Sequence, residues 1–150
     1  MTGVAAVVGS QKVTVADVDA RERAVRAGPL RHALPRPGTG EARQLRRWLT
    51  QVLVAERVVA AASEGLDPEA APTEDELLPD TVARMEVGSV AAATLAAAAG
   101  RAVFVTVTAG VEVADEDVAA YHARNPLRFT EAHPVTGGWR PAPAAPCTGW

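Results

Sequence analysis

The longest periodic segment of the chain, Glu41 to Glu64, limits the possible folds more than any other feature. Its apolar side chains recur every three or four residues, which is the spacing of one helical face. They are Leu45, Trp48, Leu49, Val52, Ala55, Val59 and Ala62. Leu53, Val54 and Val58 widen this face, and Gly65 ends the segment. The pattern predicts a central helix that packs against other elements on more than one side.

The remaining core must be built from small side chains. Of the 150 residues 48% are hydrophobic but only 4% are aromatic, so most apolar positions hold Ala or Val. Helices of this composition bury much area only if they approach closely. The length suits one domain. We therefore expect a mainly α domain with a minor N-terminal hairpin or extended element.

The N-terminal element is predicted from two valine-rich stretches, Val4 to Val8 and Val13 to Val15, which flank a turn at Gly9. Thr14 is followed three residues later by Asp17, a spacing that predicts a capped helix from about Ala16 to Ala27.

The pattern V-x-V-A-D occurs at residues 13–17 and again at residues 111–115. If both copies are strand-to-helix junctions that frame one fold, their four valines, Val13, Val15, Val111 and Val113, lie in one buried layer. An aspartate at Val113 is then expected to unfold the protein.

Other segments give weaker signals. Thr73 and Glu76 have the spacing of a capping box, and residues 82–99 are helical by propensity with a weak point at Gly88. Residues 101–113, RAVFVTVTAGVEV, alternate well enough to predict an extended or strand segment.

A last helix is predicted from Asp115 to about Arg124, followed by a stop at Asn125 and Pro126. Because Ala114 cannot cap this helix, Asp115 is expected to do so.

Four stretches in this order resemble the N-terminal module of SurA-type and PrsA-type peptidyl-prolyl isomerase chaperones. They are VAAVVG (4–9), VTVADVDAR (13–21), QLRRWLTQVLVAERVVAAA (44–62) and VEVADEDVAAYHARNPLRF (111–129). The resemblance implies a SurA-N-like helical domain over residues 1–129 with an apolar, peptide-accommodating surface. A Pro/Gly-rich tail, residues 130–150, follows and is expected to be disordered.

The chain also departs from that family. About 21 residues follow Phe129, too few for a parvulin domain, so no prolyl isomerase activity is expected. The start lacks the features of an export signal, and the longest apolar run is too short for a membrane span, which predicts a cytoplasmic protein. Truncated proteins of this kind resemble small actinobacterial proteins found near polyketide genes. The malonyltransferase label attached to some of them finds no support, since G-x-S-x-G is missing.

Five residues are candidate ligand contacts. Trp48, with Leu49 and Val52 beside it, is either the core anchor of the long helix or the floor of an apolar pocket. Tyr121 matches the packing tyrosine of the family. His122 is either a surface histidine or a general acid or base. Neighbours on a helix point about 100° apart, so these last two side chains do not face one another.

Arg43, Arg46 and Arg47 form a candidate partner-binding patch, which is otherwise a solvated helix face. Such a patch suits an acidic partner or a phosphate, for example an acyl carrier protein with its phosphopantetheine arm. The formal charge is roughly +4 over residues 1–65 and roughly −9 over residues 66–120, for a total of −3. A chain with this charge pattern is not expected to bind nucleic acid.

No metal or cofactor is expected. Cys147 is the single cysteine, so an internal disulfide is excluded, and it lies in the tail, where no scaffold makes it a nucleophile. His32 and His133 lack an acidic partner at a readable spacing.

Two functions remain open. The first is a non-catalytic, chaperone-like module that holds an unfolded or proline-containing peptide, or another apolar chain, alone or as a homodimer. The second is a small isomerase or cyclase that encloses a polyketide tethered to an acyl carrier protein. A sealed cavity near Trp48 favours the enzyme, and an open apolar groove favours the chaperone.

Overall fold

The computed structural model describes residues 3–132 and 139–141. The chain divides into two compact units between Ala109 and Gly110, a boundary inside the domain predicted for residues 1–129. The predicted tail falls mostly outside the described residues, as do His133 and Cys147.

The first unit begins with an antiparallel hairpin of β1 (Val4–Val8) and β2 (Gln11–Thr14). Gly9 forms its turn at φ +57°, in the left-handed region that favours glycine. Ala6 pairs with Val13, and the register shifts between Val4 and Ala6. The predicted N-terminal hairpin is therefore confirmed, and it delivers Val13 to the core.

Two helices follow the hairpin, α1 (Val15–Ala27) and the long α2 (Gly40–Ala62). The predicted cap of α1 is confirmed and forms a full capping box, because Asp17 N–H donates to Thr14 Oγ1 while the Asp17 carboxylate accepts from the Thr14 backbone. A 3-10 helix, Pro29–Ala33, connects the two helices. The structure thus confirms the central helix that the apolar period predicts.

The core lies between the hairpin, α1 and α2. Four buried side chains form one cluster, Val13, Val18, Leu49 and Leu53, of which Val13 and Leu49 are only 1% exposed. Ala6, Val25, Leu45, Trp48 and Val54 pack against this cluster. The core is aliphatic at its centre, as a chain poor in aromatic residues requires.

The rest of the first unit consists of short helices. They are α3 (Glu74–Leu77), α4 (Thr81–Val87), α5 (Ser89–Leu95) and α6 (Ala98–Thr108). The capping box of Thr73 and Glu76 is confirmed at the start of α3. The single helix predicted over residues 82–99 is interrupted at Gly88, whose φ is +87°, and again at Ala97, whose backbone is extended.

The strand predicted for residues 101–113 is wrong, because most of this segment belongs to α6. The alternation of Val, Phe and Thr fits a strand, but a helix also accommodates these residues. Thr106 and Thr108 donate their hydroxyl hydrogens to the carbonyls of Ala102 and Phe104 one turn earlier, which satisfies both hydroxyls within the helix.

The second unit contains α7 (Asp115–Arg124), a 3-10 helix (Pro126–Phe129), and a pair of short strands, β3 (Thr130–Ala132) and β4 (Trp139–Pro141). α7 has the predicted bounds. The expectation that Asp115 caps it is wrong, because Ala114 occupies the N-cap position and no side chain caps the helix.

The buried layer predicted for four valines is also wrong. Val13 is buried, whereas Val15, Val111 and Val113 are 40%, 67% and 65% exposed. Residues 111–114 form no strand. The second copy of the pattern therefore does not occupy a core position, and the expected unfolding by an aspartate at Val113 loses its physical basis.

Candidate functional site

An apolar groove of about 610 Å³ lies between α2, the α4–α5 junction, α5 and α6, within the first unit. Its lining residues are Ala55, Val59, Val87, Gly88, Ser89, Val90, Ala91, Thr94, Leu95, Gly100, Val103 and Phe104. Its volume falls in the range of known ligand sites, and it is open to solvent rather than enclosed. Val59, Val90, Val103 and Phe104 are half-buried, so their side chains remain accessible to a ligand.

Close contact between α5 and α6 shapes one wall of this groove. The two helices meet at a bend of 110°. At the contact, a Cβ on Gly100 would lie 2.2 Å from the backbone oxygen of Thr94, so only glycine fits there. The small size of Gly100 thus permits the close approach that a core of Ala and Val needs.

Arg101 holds the bend between α5 and α6. Its guanidinium donates to the carbonyls of Leu95 and Ala96, at the end of α5, with both distances 3.0 Å. Its Nε donates to the Pro72 carbonyl at 2.6 Å, which ties the connector before α3 to the start of α6. One side chain therefore caps α5 and fixes the segment that follows α2.

The opposite wall is the C-terminal half of α2, where Ala55 and Val59 face the groove. Trp48, two turns earlier on α2, donates its indole Nε1–H to Ser89 Oγ at a distance of 3.1 Å. Ser89 begins α5 and lines the groove. The indole thereby connects the core cluster to the groove without being one of its lining residues.

The two side-chain hydroxyls of the groove walls already take part in hydrogen bonds. Thr94 donates its hydroxyl hydrogen to the Val90 carbonyl at 2.9 Å, and Ser89 Oγ accepts from Trp48. All the walls are helices or helix junctions, and no lining residue is an acid, a base or a histidine. The groove therefore offers apolar contact and little hydrogen bonding.

The structure places the three predicted ligand residues of α2 in different environments. Leu49 and Val52 are buried, and Leu49 belongs to the core cluster. Trp48 is half-buried against that cluster. None of the three lines the groove, although Trp48 reaches it through Ser89.

Tyr121 and His122 lie on α7 in the second unit. Both contact Phe129: the Tyr121 ring meets it edge-on, with centroids 6.2 Å apart, and the His122 ring is tilted at 4.8 Å. Arg128 binds the Tyr121 hydroxyl through Nη1, and its guanidinium carbon is 5.7 Å from the centre of the tyrosine ring. These residues form a small aromatic cluster of their own unit.

Arg46 takes part in an ion-pair network between α1 and α2. It contacts Asp19 at 2.6 Å and Glu22 at 2.5 Å, and Glu22 also pairs with Arg26. Hydrogen bonds from Arg26 and Arg46 lower the pKa of Glu22. The Arg46 side chain is therefore held by α1, whereas Arg43 and Arg47 are exposed on the same helix.

Among residues 3–132 and 139–141, no cluster of three or more His, Cys, Asp or Glu side chains has the geometry to hold a metal ion. Among the same residues, no single helix is long and apolar enough to cross a membrane. Only α5 and α6 counted together, with the bend between them, reach that length and apolar character.

Sequence reasoning missed the groove because its residues come from segments with weak or misleading patterns. The sequence of α6 alternates like that of a strand, and the propensities of α4 and α5 predict one continuous helix. Two signals pointed toward it, namely the glycines at positions 88 and 100. A glycine within a helical pattern often marks a break or a close approach.

One protein-family model matches the chain, a family of unknown function (DUF7158), over residues 4–41. The match covers the hairpin, α1 and the first two residues of α2. No curated protein matches the chain significantly. No solved structure does so either.

Proposed function

We propose that the first unit is a non-catalytic, chaperone-like binding module that holds an apolar polypeptide segment in the groove between α2, α5 and α6. The observation that carries this proposal is the open, apolar groove itself. Burial of apolar surface contributes roughly 25 cal/mol per Å², and half-exposed Val and Phe side chains make such burial possible on binding.

The form of the groove favours binding over catalysis. A small enzyme that shapes a reactive chain needs to exclude water and to place an acid or a base beside it. The groove is open, and its lining residues include no titratable side chain. The resemblance to SurA-type and PrsA-type modules supports the same function, and a cytoplasmic location and the lack of prolyl isomerase activity stay predictions.

The test uses neighbouring valines of α2 as matched variants. Val59 lines the groove, whereas Val58 is 51% exposed and is not a lining residue. We expect the wild-type protein and Val58→Asp to suppress the aggregation of reduced insulin, measured by light scattering, and Val59→Asp to lose most of this effect.

A second groove variant serves as a control for misfolding of Val59→Asp. Ala91→Leu fills the groove with an apolar side chain, so it blocks a ligand without introducing a buried charge. Circular dichroism establishes that both variants fold. Unchanged suppression by folded Ala91→Leu and Val59→Asp would show that clients bind elsewhere.

A further inference from the structure

The walls of the groove restrict the conformation of a bound polypeptide. An extended chain needs partners for its backbone N–H and C=O groups, which a sheet edge supplies in strand-addition complexes. Here the walls are α2, α5 and α6, whose backbone groups are mostly paired within the helices, and the hydroxyls of Ser89 and Thr94 take part in hydrogen bonds. The exceptions are the first turns of α5 and α6, which have no side-chain cap. An extended ligand could pair with these few groups only, and its other polar groups would stay unsatisfied against apolar walls, at a cost for each group.

A helical ligand avoids this cost, because its backbone hydrogen bonds are internal. Its apolar face projects side chains at positions i, i+3, i+4 and i+7. A groove of about 610 Å³ has room for several such side chains. The walls therefore favour an amphipathic helix over an extended peptide.

The net charge of the segment that forms α3 to α6 restricts the ligand further. Residues 66–109, which supply α3 to α6, contain seven acidic and two basic residues. Both basic side chains are engaged, since Arg84 pairs with Glu74 and Asp75 and Arg101 binds backbone carbonyls. The connector before α3, which carries Asp67 and Glu69, is held at the start of α6 by the hydrogen bond from Arg101 to Pro72. A ligand with basic residues beside its apolar face complements this surface.

We propose that the ligand of the groove is a basic amphipathic helix of a partner protein, bound by its apolar face. This inference rests on the proposed function, and it adds the conformation and charge of the polypeptide. It predicts that helix formation and binding are coupled, so that a peptide which cannot become helical binds poorly even when its composition is unchanged.

The test uses Trp48 as the reporter, because its indole is bonded to a lining residue. The full chain has three tryptophans, so Trp139→Phe and Trp150→Phe leave Trp48 alone. Peptides of about 18 residues, long enough for marginal helicity, are titrated while fluorescence and circular dichroism are recorded. The reference peptide has leucines on one helical face and lysines on the other.

Three further peptides test separately whether binding needs a helix, an apolar helical face and basic charge. One has a central proline that blocks the helix, one has the same composition with the leucines scattered around the helix, and one has glutamates in place of lysines. We expect about tenfold weaker binding or worse for the first two, and several-fold weaker binding at low salt for the third. Val59→Asp should weaken binding of the reference peptide about tenfold, and Val58→Asp should leave it unchanged.

The outcomes distinguish the inference from the proposed function. Equal or tighter binding of the proline peptide, still blocked by Val59→Asp, overturns the helical ligand and leaves peptide binding in place. Binding of a dodecyl-chain surfactant but of no peptide, again blocked by Val59→Asp, overturns both and assigns the groove to an acyl chain. Dimerisation that Val59→Asp abolishes, without any peptide binding, assigns it to a second copy and also overturns both.

Discussion

The two copies of V-x-V-A-D are nearly identical in sequence and differ in structure. In the first copy, Val13 is buried in the core and Thr14 caps a helix that begins at Val15. In the second copy, Val111 and Val113 are exposed and the helix begins at Asp115, two positions later in the pattern.

The residue at the second position of the pattern explains why the helix begins later in the second copy. Thr14 accepts from the backbone of Asp17 through its hydroxyl, and Thr is a favoured N-cap residue. Glu112 takes the same place in the second copy, and Glu is not such a residue. The helix there begins only after Ala114, without a side-chain cap. The pattern thus marks a helix start, while the capping residue decides its position.

The largest contrast concerns burial. Val13→Asp should unfold the protein at room temperature, because an unpaired carboxylate in the core costs several kcal/mol out of a total stability of about 5–15 kcal/mol. Val113→Asp should change stability by less than about 0.5 kcal/mol, as exposed substitutions usually do. Urea unfolding followed by circular dichroism measures both, and a strongly destabilised Val113→Asp protein would place the second copy in a core after all.

Capping gives the next contrast. Thr14→Ala should cost about 1 kcal/mol, because the Asp17 N–H loses its partner. Ala114→Ser, which supplies the missing cap in the second copy, should stabilise α7 by about 0.5–1 kcal/mol. Urea melts report the first change, and amide hydrogen exchange of α7 reports the second, since the effect is local. If Ala114→Ser left exchange in α7 unaltered, the missing side-chain cap would not limit the stability of α7.

The pH dependence of the first copy is a smaller effect. Hydrogen bonds from the Thr14 backbone and hydroxyl lower the pKa of Asp17, and those from Arg26 and Arg46 lower that of Glu22. A lowered folded-state pKa means that each carboxylate contributes stability above its unfolded pKa, about 4, and loses it as the pH falls further. Stability should therefore decline between about pH 5 and pH 3.

Two variants test which carboxylates cause this decline in stability. Thr14→Val removes the hydroxyl that Asp17 accepts from, and Glu22→Gln removes the charge that pairs α1 with α2. Each should flatten the dependence of the urea midpoint on pH between about 5 and 3. A slope unchanged in both variants would mean that other carboxylates cause the acid sensitivity.

The smallest expected effect is that of His122→Ala on α7, the helix that follows the second copy. The imidazole is exposed and contacts the ring of Phe129, so its loss should change stability by less than about 0.5 kcal/mol and leave groove binding unchanged. Calorimetry and the Trp48 titration test the two parts. A folded His122→Ala protein that no longer binds its ligand would place the binding site at α7.

The sequence alone determined the features that depend on neighbours along the chain. The hairpin around Gly9, the capping boxes at Thr14 and Thr73, and the long helix through Leu49 all follow from local hydrogen bonding or from one unbroken apolar period. These signals are strong because the residues that cause them lie within a few positions of each other.

Only the tertiary structure decided which valines are buried and where the groove lies. α6 alternates like a strand, and it is a helix that packs against α5 at Gly100 and is held by Arg101. Val13 and Val111 begin the same V-x-V-A-D pattern, but only Val13 is carried into the core by a paired strand. Burial depends on contacts between residues distant in the chain, and a local pattern of Ala and Val is compatible with several such arrangements.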